Sequence, residues 1–350
     1  MKMSRQRSQE VITAKSILCV GLLIFSTAAV VAPQISVPRP VMLTLPPGAS
    51  GTAIQQALDS LPDDGGTVFL PPGISEIRQP IVLRRDHLSL RGSGEATVLR
   101  LADGANCPVI ILGEPVNNPK TTVRHLLVSD CLIDGNRTRQ PHELWRSRGE
   151  GSEIRNNGIT VQNVSDSRVE RVTTAHCRSG GLVTTRGVRR LTVQDYVSFD
   201  NEFDGLACYQ TEDCLFTRLR LHDNPGAGIS LDLAFNHNTI SNAVLTGNDL
   251  GIFMRASRDN RFYNIAIRRS HHYGVFMAHA EKPGGRGWQP IPQTECVRNA
   301  FTNLMASNCG GAAFRVNDTT CTNNVIVAAQ FHDNAQGGLS LARPNLVTVQ

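Results

Sequence analysis

The stretch that decides the fold is a glycine-led segment that recurs as Gly205-Leu-Ala-Cys-Tyr209, Gly228-Ile-Ser-Leu-Asp232, Gly251-Ile-Phe-Met-Arg255 and Gly274-Val-Phe-Met-Ala278. The glycines are 23 residues apart. The same pattern begins at Gly158 and Gly181, and two further copies are predicted to start at Gly311 and Gly338. Self-similarity at a fixed period of this length indicates a repeat architecture.

Each repeat has the character of short strands rather than helices. The segments have four to six residues, they alternate in polarity, and a second strand follows in each repeat, such as Phe262-Tyr-Asn-Ile265. The turns before the glycines often contain asparagine: Asn201, Asn224, Asn248, Asn308 and Asn334. This pattern predicts a parallel β-solenoid whose coils stack about 4.8 Å apart. The stacked asparagines are then expected to form a hydrogen-bonded ladder with a structural role.

A short helix is expected at the start of the solenoid. Gly51–Asp59 and the residues after it place Ile54, Ala57, Leu58 and Leu61 on one helical stripe. Thr52 and Gln55 have the spacing of a capping box. We expect this helix to cover the open apolar end of the first coil, where unpaired strand edges invite aggregation.

The first 32 residues are expected to direct export. A basic start is followed by the apolar run Ile17–Phe25 and then by small residues, which is the layout of a secretory signal. An uncleaved N-terminal anchor is the alternative, and it would be the protein's one contact with a membrane. We therefore expect a secreted or periplasmic protein with a signal or anchor at 1–32, a linker at 33–48 and a β-helix domain at 49–350.

Charge and cysteine content restrict the partners. The net charge is +5, of which +3 lies in residues 1–32, so the remaining chain offers no basic surface for nucleic acid. Nine cysteines are present, and the eight outside the apolar run permit disulfides in an oxidising compartment, although no pairing follows from the sequence. There is no Cys-x-x-Cys pair, and no spacing suggests a transition-metal site.

The N-terminal part carries a family resemblance. The segment from Gly51 to Gly73, continued by His87-Leu-Ser-Leu-Arg-Gly-Ser-Gly94 and the following coils, resembles the pectate-lyase-like superfamily of right-handed parallel β-helices. That superfamily includes polysaccharide lyases, polygalacturonase-type hydrolases, mannuronan C5-epimerases and non-catalytic surface proteins. The resemblance implies an all-β, single-stranded right-handed parallel β-helix with a carbohydrate polymer along one face.

Alternation along the strands separates the core from a candidate working face. Residues one and three places after each glycine are predicted to form the core, and residues two and four places after it point outward. The fourth position reads Gln162, Thr185, Tyr209, Asp232, Arg255, Ala278 and Arg315 on successive coils. Tyr209, Asp232 and Arg255, with Asp204 at the turn before its strand, are therefore the predicted catalytic residues.

Residues near this file, the column of fourth-position side chains, are predicted to bind the polymer. Phe253 and Phe276, in the second position, offer apolar platforms. Two insertions interrupt the repeat, and each carries one of the two tryptophans, Trp145 and Trp288, whose rings can stack on sugars or pin their loops. His271 and His279 flank the strand after Gly274 and are further candidates for substrate contact.

These residues are compatible with three alternative functions. Removal of a uronate C5 proton, as in a lyase or C5-epimerase, needs a neutralised carboxylate, and Arg255 or a bound cation such as Ca²⁺ can provide this. No other cofactor is indicated. An inverting hydrolase would use Asp204 and Asp232 at roughly 6.5–9.5 Å separation. A non-catalytic polysaccharide-binding or envelope protein would need only the aromatic platforms.

Motifs of individual members of the resembling superfamily are incomplete. Mannuronan epimerases typically carry Tyr-Gly-Phe-Asp-Pro-His, and the corresponding stretch here is Asn201-Glu-Phe-Asp-Gly-Leu206. It retains Phe203 and Asp204 but lacks the tyrosine and the histidine, so Tyr209 or another coil would have to supply those groups. The Asp-Asp and Gly-His-Gly motifs of polygalacturonase-type enzymes are absent.

Overall fold

The computed structural model describes residues 41–144, 154–280 and 293–350. Within them the chain forms a right-handed parallel β-solenoid of about 12 turns, which confirms the predicted fold class. Every strand pairing between neighbouring coils is parallel, as expected for strands that stack one turn above another. Each turn contributes to two or three sheets that enclose the core.

The sheets differ in strand length. Sheet 1 has 15 strands, namely Met42–Thr44, Gly66–Phe69, Gly73–Ile77, Leu88–Arg91, Thr97–Leu101, Leu127–Asp134, Arg168–Ala175, Thr192–Phe199, Leu215–His222, Thr239–Thr246, Arg261–Arg268, Ala300–Ser307, Asn324–Val327, Gln330–His332 and Val347–Val349. Sheet 2 has 10 strands, namely Ile81–Leu83, Ile110–Leu112, Ile159–Gln162, Leu182–Thr185, Leu206–Tyr209, Ala227–Asp232, Leu250–Arg255, Val275–Ala278, Phe314–Val316 and Leu339–Leu341. Sheet 3 has 6 short strands, namely Val123–Arg124, Val164–Ser165, Val188–Arg189, Thr211–Glu212, Phe235–Asn236 and Ser257–Arg258. The glycine-led segments of the sequence form sheet 2.

The core lies where the alternation predicts. From Gly158 to Gly274 the residues one and three places after the glycines are fully buried, among them Ile159, Val161, Leu206, Cys208, Ile229, Leu231, Ile252, Met254, Val275 and Met277, whereas Leu339 after Gly338 is exposed. The repeat start predicted at Gly311 is wrong. Val275 pairs with Phe314, so the residue equivalent to Gly274 is Ala313 and not Gly311. Because the side-chain period of a strand is two, this shift of two residues keeps the inward and outward faces but moves each residue into the neighbouring column.

The predicted helix is present as α1, Gly51–Ser60. Its N-cap is Ser50, whose hydroxyl accepts a hydrogen bond from the Ala53 N–H at 3.3 Å, so the capping box predicted at Thr52 and Gln55 is wrong. Gln55 instead bonds both backbone groups of Val82, in the edge strand of sheet 2, at 2.7 and 3.2 Å. A side-chain amide can satisfy an unpaired strand edge in this way. Closure of the whole solenoid end by the helix stays a prediction.

The sheet begins earlier than the expected domain boundary at residue 49. Met42–Thr44 pairs with Thr67–Phe69, so part of the segment expected to be a linker is a strand. The predicted signal or anchor at 1–32 lies outside the described residues. In the described ranges no helix has the length and apolar character needed to span a bilayer.

A buried asparagine ladder runs beside sheet 2. The Asn224 Oδ1 accepts hydrogen bonds from the Asn201 backbone N–H and side-chain amide at 3.2 and 3.0 Å, and Asn248 serves Asn224 in the same way. Asn308 is not part of this ladder, contrary to expectation, because it occupies a left-handed turn position at φ 56°. Cys309 follows it and donates its N–H to Asn334.

A second ladder was not predicted. It lies between sheet 3 and sheet 1 and consists of Asn238, Asn260, Asn299 and Asn324. The amide oxygens of the last three members each accept from the backbone N–H of the preceding member, at 3.0 to 3.2 Å. The sequence signal was present but weaker, because these asparagines do not precede a glycine.

We expect Asn224→Leu to lower the free energy of unfolding by about 2–4 kcal/mol, because two donors of Asn201 would be left unsatisfied in the interior. Asn317→Ala is the control, since Asn317 is exposed and its side-chain bonds face solvent; it should cost less than about 1 kcal/mol. Urea unfolding of both variants measures the difference. Equal losses would contradict a structural role for the ladder.

Candidate functional site

The predicted file of residues exists on the outer face of sheet 2. Tyr209 pairs with Asp232, and Arg255 pairs with Ala278 on the following coil. The Arg255 guanidinium donates to the Asp232 carboxylate, which joins the two halves of the file. Arg315 does not continue it, contrary to expectation, because Arg315 pairs with Phe276 and belongs to the neighbouring column.

Asp232 and Arg255 form a largely buried ion pair rather than an open reactive pair. The Arg255 Nε lies 2.9 Å from the Asp232 Oδ2, and the Asp232 side chain is only 3% exposed. The other carboxylate oxygen accepts the Leu233 N–H at 2.7 Å. Leu233 and Ala234 both adopt left-handed φ angles, 50° and 69°, which are costly for residues other than glycine. The carboxylate of Asp232 therefore stabilises a strained turn.

A pocket lies on the outer face of sheet 2 beside Tyr209. Its volume is about 40 Å³, which is enough to admit a group such as a carboxylate. The residues that line it are Asn117, Ile154, Arg155, Asn157, Thr160, Gln162, Val183, Thr185, Arg186 and Tyr209. Among these described residues there are two guanidinium groups and no carboxylate, so the pocket suits an anionic group.

Two polar groups of the pocket are the Thr185 hydroxyl and the Arg186 guanidinium. The Thr185 hydroxyl is buried and has no hydrogen-bond partner among the described residues. Burial lowers the pKa of the Arg186 guanidinium from its usual value, and its Nη1 donates to the Asn118 Oδ1 at 3.0 Å. Unpaired buried polar groups are costly, and a bound ligand is one way in which they are satisfied.

Sequence reasoning missed Arg155 and Arg186. Arg186 follows the strand Leu182–Thr185 directly, one place beyond the fourth position, at a left-handed φ of 59°. Arg155 belongs to the segment before Gly158, outside the strand pattern. The position of each arginine next to a glycine-led segment was a sequence signal that could have placed it near sheet 2. That both approach Tyr209 depends on the stacking of three coils.

Asp204 lies just before the strand Leu206–Tyr209, at the end opposite to Tyr209. Its Oδ1 accepts the Ala227 N–H at 2.7 Å, and it is held close to Gly226, where a Cβ atom would lie 2.7 Å from that oxygen. Burial raises the pKa of Asp204 to about 6, and the positive charge of Arg155 opposes this rise. A carboxyl group with such a pKa can exchange protons near neutral pH.

The separation along the strand argues against a joint role for the two predicted aspartates. Tyr209 is five residues beyond Asp204 and lies opposite Asp232. At about 3.3 Å per residue along the strand and about 4.8 Å between coils, the backbones of Asp204 and Asp232 are roughly 17 Å apart. An inverting hydrolase needs its two carboxyl groups at about 6.5–9.5 Å, so this geometry does not support the paired-aspartate hypothesis.

The aromatic platforms are assembled as predicted. The Phe253 and Phe276 rings stack with centroids 6.0 Å apart and planes inclined by 10°. Tyr273, which was not predicted, lies 5.3 Å from Phe276, and the Arg255 guanidinium carbon lies 5.3 Å from Phe253. Together they form an aromatic surface on the coils beyond Asp232. Stacked aromatic faces of this kind suit the apolar face of a sugar ring.

The histidines and tryptophans have different outcomes. His271 is exposed at the turn before this surface, while His272 bonds Asp249 at 2.6 Å. The His279 Nδ1 is buried without a hydrogen-bond partner in the described part of the chain, and its backbone N–H donates to Asp318 at 3.0 Å. Trp145 and Trp288 lie outside the described residues. A substrate contact by any of them stays a prediction.

No cluster of three or more His, Cys, Asp or Glu side chains suitable for a metal ion occurs within residues 41–144, 154–280 and 293–350. The carboxylates of the site are instead engaged with protein groups, Asp232 with Arg255 and Asp204 with a backbone amide. The involvement of Ca²⁺ stays a prediction.

We expect Asp232→Ala to lower the free energy of unfolding by about 2–4 kcal/mol, because it removes a charged partner of Arg255 and a bond of a strained turn. Glu212→Ala is the matched control, since Glu212 accepts from Arg189 on the neighbouring coil at 2.7 Å with both side chains partly exposed. The control should cost less than about 1 kcal/mol. Chemical denaturation compares the two, and a small loss for Asp232→Ala would show that the pair is not structural.

The raised pKa of Asp204 predicts a pH-dependent stability. The folded state holds the proton up to about pH 6, whereas the usual pKa of the group is 3.8. Rising pH therefore destabilises the wild type relative to Asp204→Asn by up to about 3 kcal/mol between pH 4 and 7. Urea unfolding across this range should show the variant gaining on the wild type as pH rises. Asp223→Asn, at an exposed turn, is the control, and a flat difference for Asp204→Asn would refute the assignment.

Comparison with known proteins agrees with this architecture. A family model described as right handed beta helix region matches residues 118–267 and 213–350. Mannuronan C5-epimerase AlgE1 of Azotobacter vinelandii is 28% identical over 189 residues, which are 51% of this chain and 13% of the relative. The chain thus spans a small part of that relative's length.

Solved structures show the same fold at low sequence identity. The A-module of mannuronan C-5 epimerase AlgE4 from Azotobacter vinelandii superposes with a TM-score of 0.55 at 16% identity, covering 87% of this chain and 97% of that module. Alginate lyase from Paenibacillus sp. gives a TM-score of 0.59 at 10% identity, covering 88% of this chain and 99% of the lyase. With most of the solenoid matched by the family model, this chain belongs to the right-handed parallel β-helix family.

Proposed function

We propose that this protein is an exported enzyme, secreted or periplasmic, that acts on a uronate-containing polysaccharide by removing the C5 proton, as a lyase or C5-epimerase. One observation carries the proposal. The pocket beside Tyr209 is lined by Arg155 and Arg186 and by no described carboxylate. Such a pocket binds the carboxylate of a uronate next to a phenol that can exchange a proton.

The guanidinium groups have a defined chemical task. The C5 proton of a uronate becomes acidic enough to remove only when the charge of the adjacent carboxylate is neutralised, because the electrons of the broken C–H bond move into that group. Arg155 and Arg186 would hold the carboxylate and stabilise this charge as it develops. The Thr185 hydroxyl, which has no hydrogen-bond partner among the described residues, is available for a further hydrogen bond to the same group.

Tyr209 is the residue that we assign to proton transfer. It is partly exposed, it lines the pocket, and it lies on a rigid strand whose neighbours in sheet 2 fix its position. Its phenolic oxygen would exchange a proton with C5 of the bound sugar. Return of a proton to the opposite face of C5 gives epimerisation, whereas loss of the C4 oxygen gives elimination.

Asp204 would act through Arg155 rather than on the sugar. It lies about five residues of extended chain from Tyr209, too far to share a reacting atom, while its carboxylate interacts electrostatically with Arg155. We assign it as a positioning residue that orients this guanidinium. The positions that carry tyrosine and histidine in the epimerase run are Asn201 and Leu206 here, and both are fully buried, so neither could replace Tyr209.

The known relatives support this chemistry. A mannuronan C5-epimerase and an alginate lyase are similar to this chain in sequence or fold. Their names describe the two outcomes that diverge after the C5 proton has been removed. These relatives support a uronate-containing polysaccharide as the proposed substrate class.

A non-catalytic polysaccharide-binding protein is the second candidate. The observation that favours it is the aromatic surface of Phe253, Tyr273 and Phe276, which can hold a sugar without any reacting group. The buried pairing of Asp232 with Arg255 is equally compatible with it. This candidate predicts polymer binding that does not depend on Tyr209.

Full-length protein incubated with alginate, pectate and a neutral polysaccharide tests the proposal. Ultraviolet absorbance detects the unsaturated uronate of a lyase, and NMR detects inversion at C5. We expect turnover of an acidic polymer only. Tyr209→Phe should lower kcat by roughly 10²–10⁴-fold while polymer binding is retained.

Tyr263→Phe is the matched control, because Tyr263 is a partly exposed strand tyrosine in sheet 1, away from the pocket, and it should leave turnover unchanged. Binding without turnover of any uronate polymer would favour the non-catalytic candidate. Turnover of the neutral polymer, or full activity of Tyr209→Phe, would overturn the proposed role of the pocket.

A further inference from the structure

Two cysteines occupy the same position on consecutive coils near the C-terminal end. Ala300 pairs with Val325, and the Asn299 N–H donates to the Asn324 Oδ1, which fixes the offset between these coils at 25 residues. The same offset places Cys296 directly opposite Cys321. Both side chains are fully buried.

Direct contact links the two residues. The Cys296 N–H donates to the Cys321 Sγ, with the nitrogen 3.4 Å from the sulfur. The adjacent Cys296 also lowers the pKa of the Cys321 thiol. Burial has the opposite effect elsewhere, and raises the pKa of Cys107 to about 11 and that of Cys131 to about 12. Cys321 is the cysteine whose pKa is lowered, among the eight in the described ranges.

The backbone spacing at this position matches a disulfide. Neighbouring coils of a parallel solenoid lie about 4.8 Å apart. Disulfide-linked residues have Cα atoms about 4.4–6.8 Å apart. Both thiols lie inside the turn, on the same column, so no change of coil register is needed to join them.

We propose that Cys296 and Cys321 form a disulfide that links two successive coils when the protein folds under oxidising conditions. The link would secure the place where the chain returns from its second insertion. There the Ala280 N–H donates to the Thr294 carbonyl at 2.7 Å, and the Asn324 side-chain amide donates to the Cys296 carbonyl at 3.1 Å. The C-terminal coil would thereby be tied to the coil that carries the base of the insertion.

The reaction needs an external oxidant, for which a small disulfide such as oxidised glutathione suffices. The Cys321 thiolate attacks one sulfur of that disulfide and releases one glutathione thiolate. The Cys296 thiol loses its proton to solvent and attacks the Cys321 sulfur, which releases the second glutathione. Two protein thiols are oxidised and one glutathione disulfide is reduced to two thiols. Because both cysteines are buried in the folded state, the exchange takes place before these coils close.

Refolding of the full-length chain in mixed reduced and oxidised glutathione tests the proposal. Free thiols are then alkylated in denaturant and the protein is digested with trypsin, which separates Cys296 in residues 287–298 from Cys321 in residues 316–350. We expect these peptides to be joined and to separate on reduction. The number of free thiols should be two lower than in the reduced protein.

Stability gives an independent measure. Protein refolded with glutathione should have a Tm roughly 5 °C above protein refolded with its thiols kept reduced. Cys321→Ala should abolish this difference. Cys131→Ala is the control, because Cys131 is buried opposite Val172 and not opposite a cysteine. This variant should retain the Tm difference between the oxidised and the reduced protein.

Alkylation of both Cys296 and Cys321 at every glutathione ratio would overturn the proposal, as would a disulfide from either of them to another cysteine. If Cys321→Ala does not fold, the peptide map of the wild type still decides the question, because it requires no variant.

Discussion

The structure depends on hydrogen bonds that join each coil to the coils stacked above and below it. A solenoid coil cannot bury its own polar turn, so each turn must find partners in the coils above and below. The buried asparagines meet this need because one amide can accept from the coil below and donate to a carbonyl at the same time. Asn224 does both, accepting from Asn201 and donating to the His222 carbonyl. The remaining architecture follows once this vertical spacing is set.

The same spacing constrains the charges on the surface. Residues in one column lie about 4.8 Å apart, where like charges repel. In the middle of the long strands, left-handed positions are stacked as Asp130 on Arg171 and Asp195 on Arg218, and each pair forms two hydrogen bonds. Further along, Asn242, Asn264 and Asn303 replace them and join through their amides. Alternating charge and neutral amides are two solutions to one electrostatic problem.

The candidate site departs from this regularity in an informative way. On the outer face of sheet 2, Asp232 and Arg255 follow the column rule and neutralise each other. One and two coils earlier the column contains Tyr209 and Thr185, and two arginines from outside the strands approach them. The described lining of this pocket holds no carboxylate, although Arg155 interacts electrostatically with Asp204 nearby. An anionic ligand would therefore meet positive charge here, and further along the same column Asp232 and Arg255 bond each other.

The sequence by itself determined the fold, the core and the column that contains Tyr209, because a repeat of fixed length with alternating polarity has one way to stack its apolar faces. It also determined the stacking of Phe253 on Phe276. It did not reveal the start of the solenoid at Met42, the shift of the repeat from Gly311 to Ala313, or the ladder through Asn260. Only the tertiary structure decided that Asp232 is buried and that Arg155 and Arg186 reach Tyr209. The physical reason is that strand periodicity specifies which way a side chain points, whereas its exposure and its partners depend on turns that no period describes.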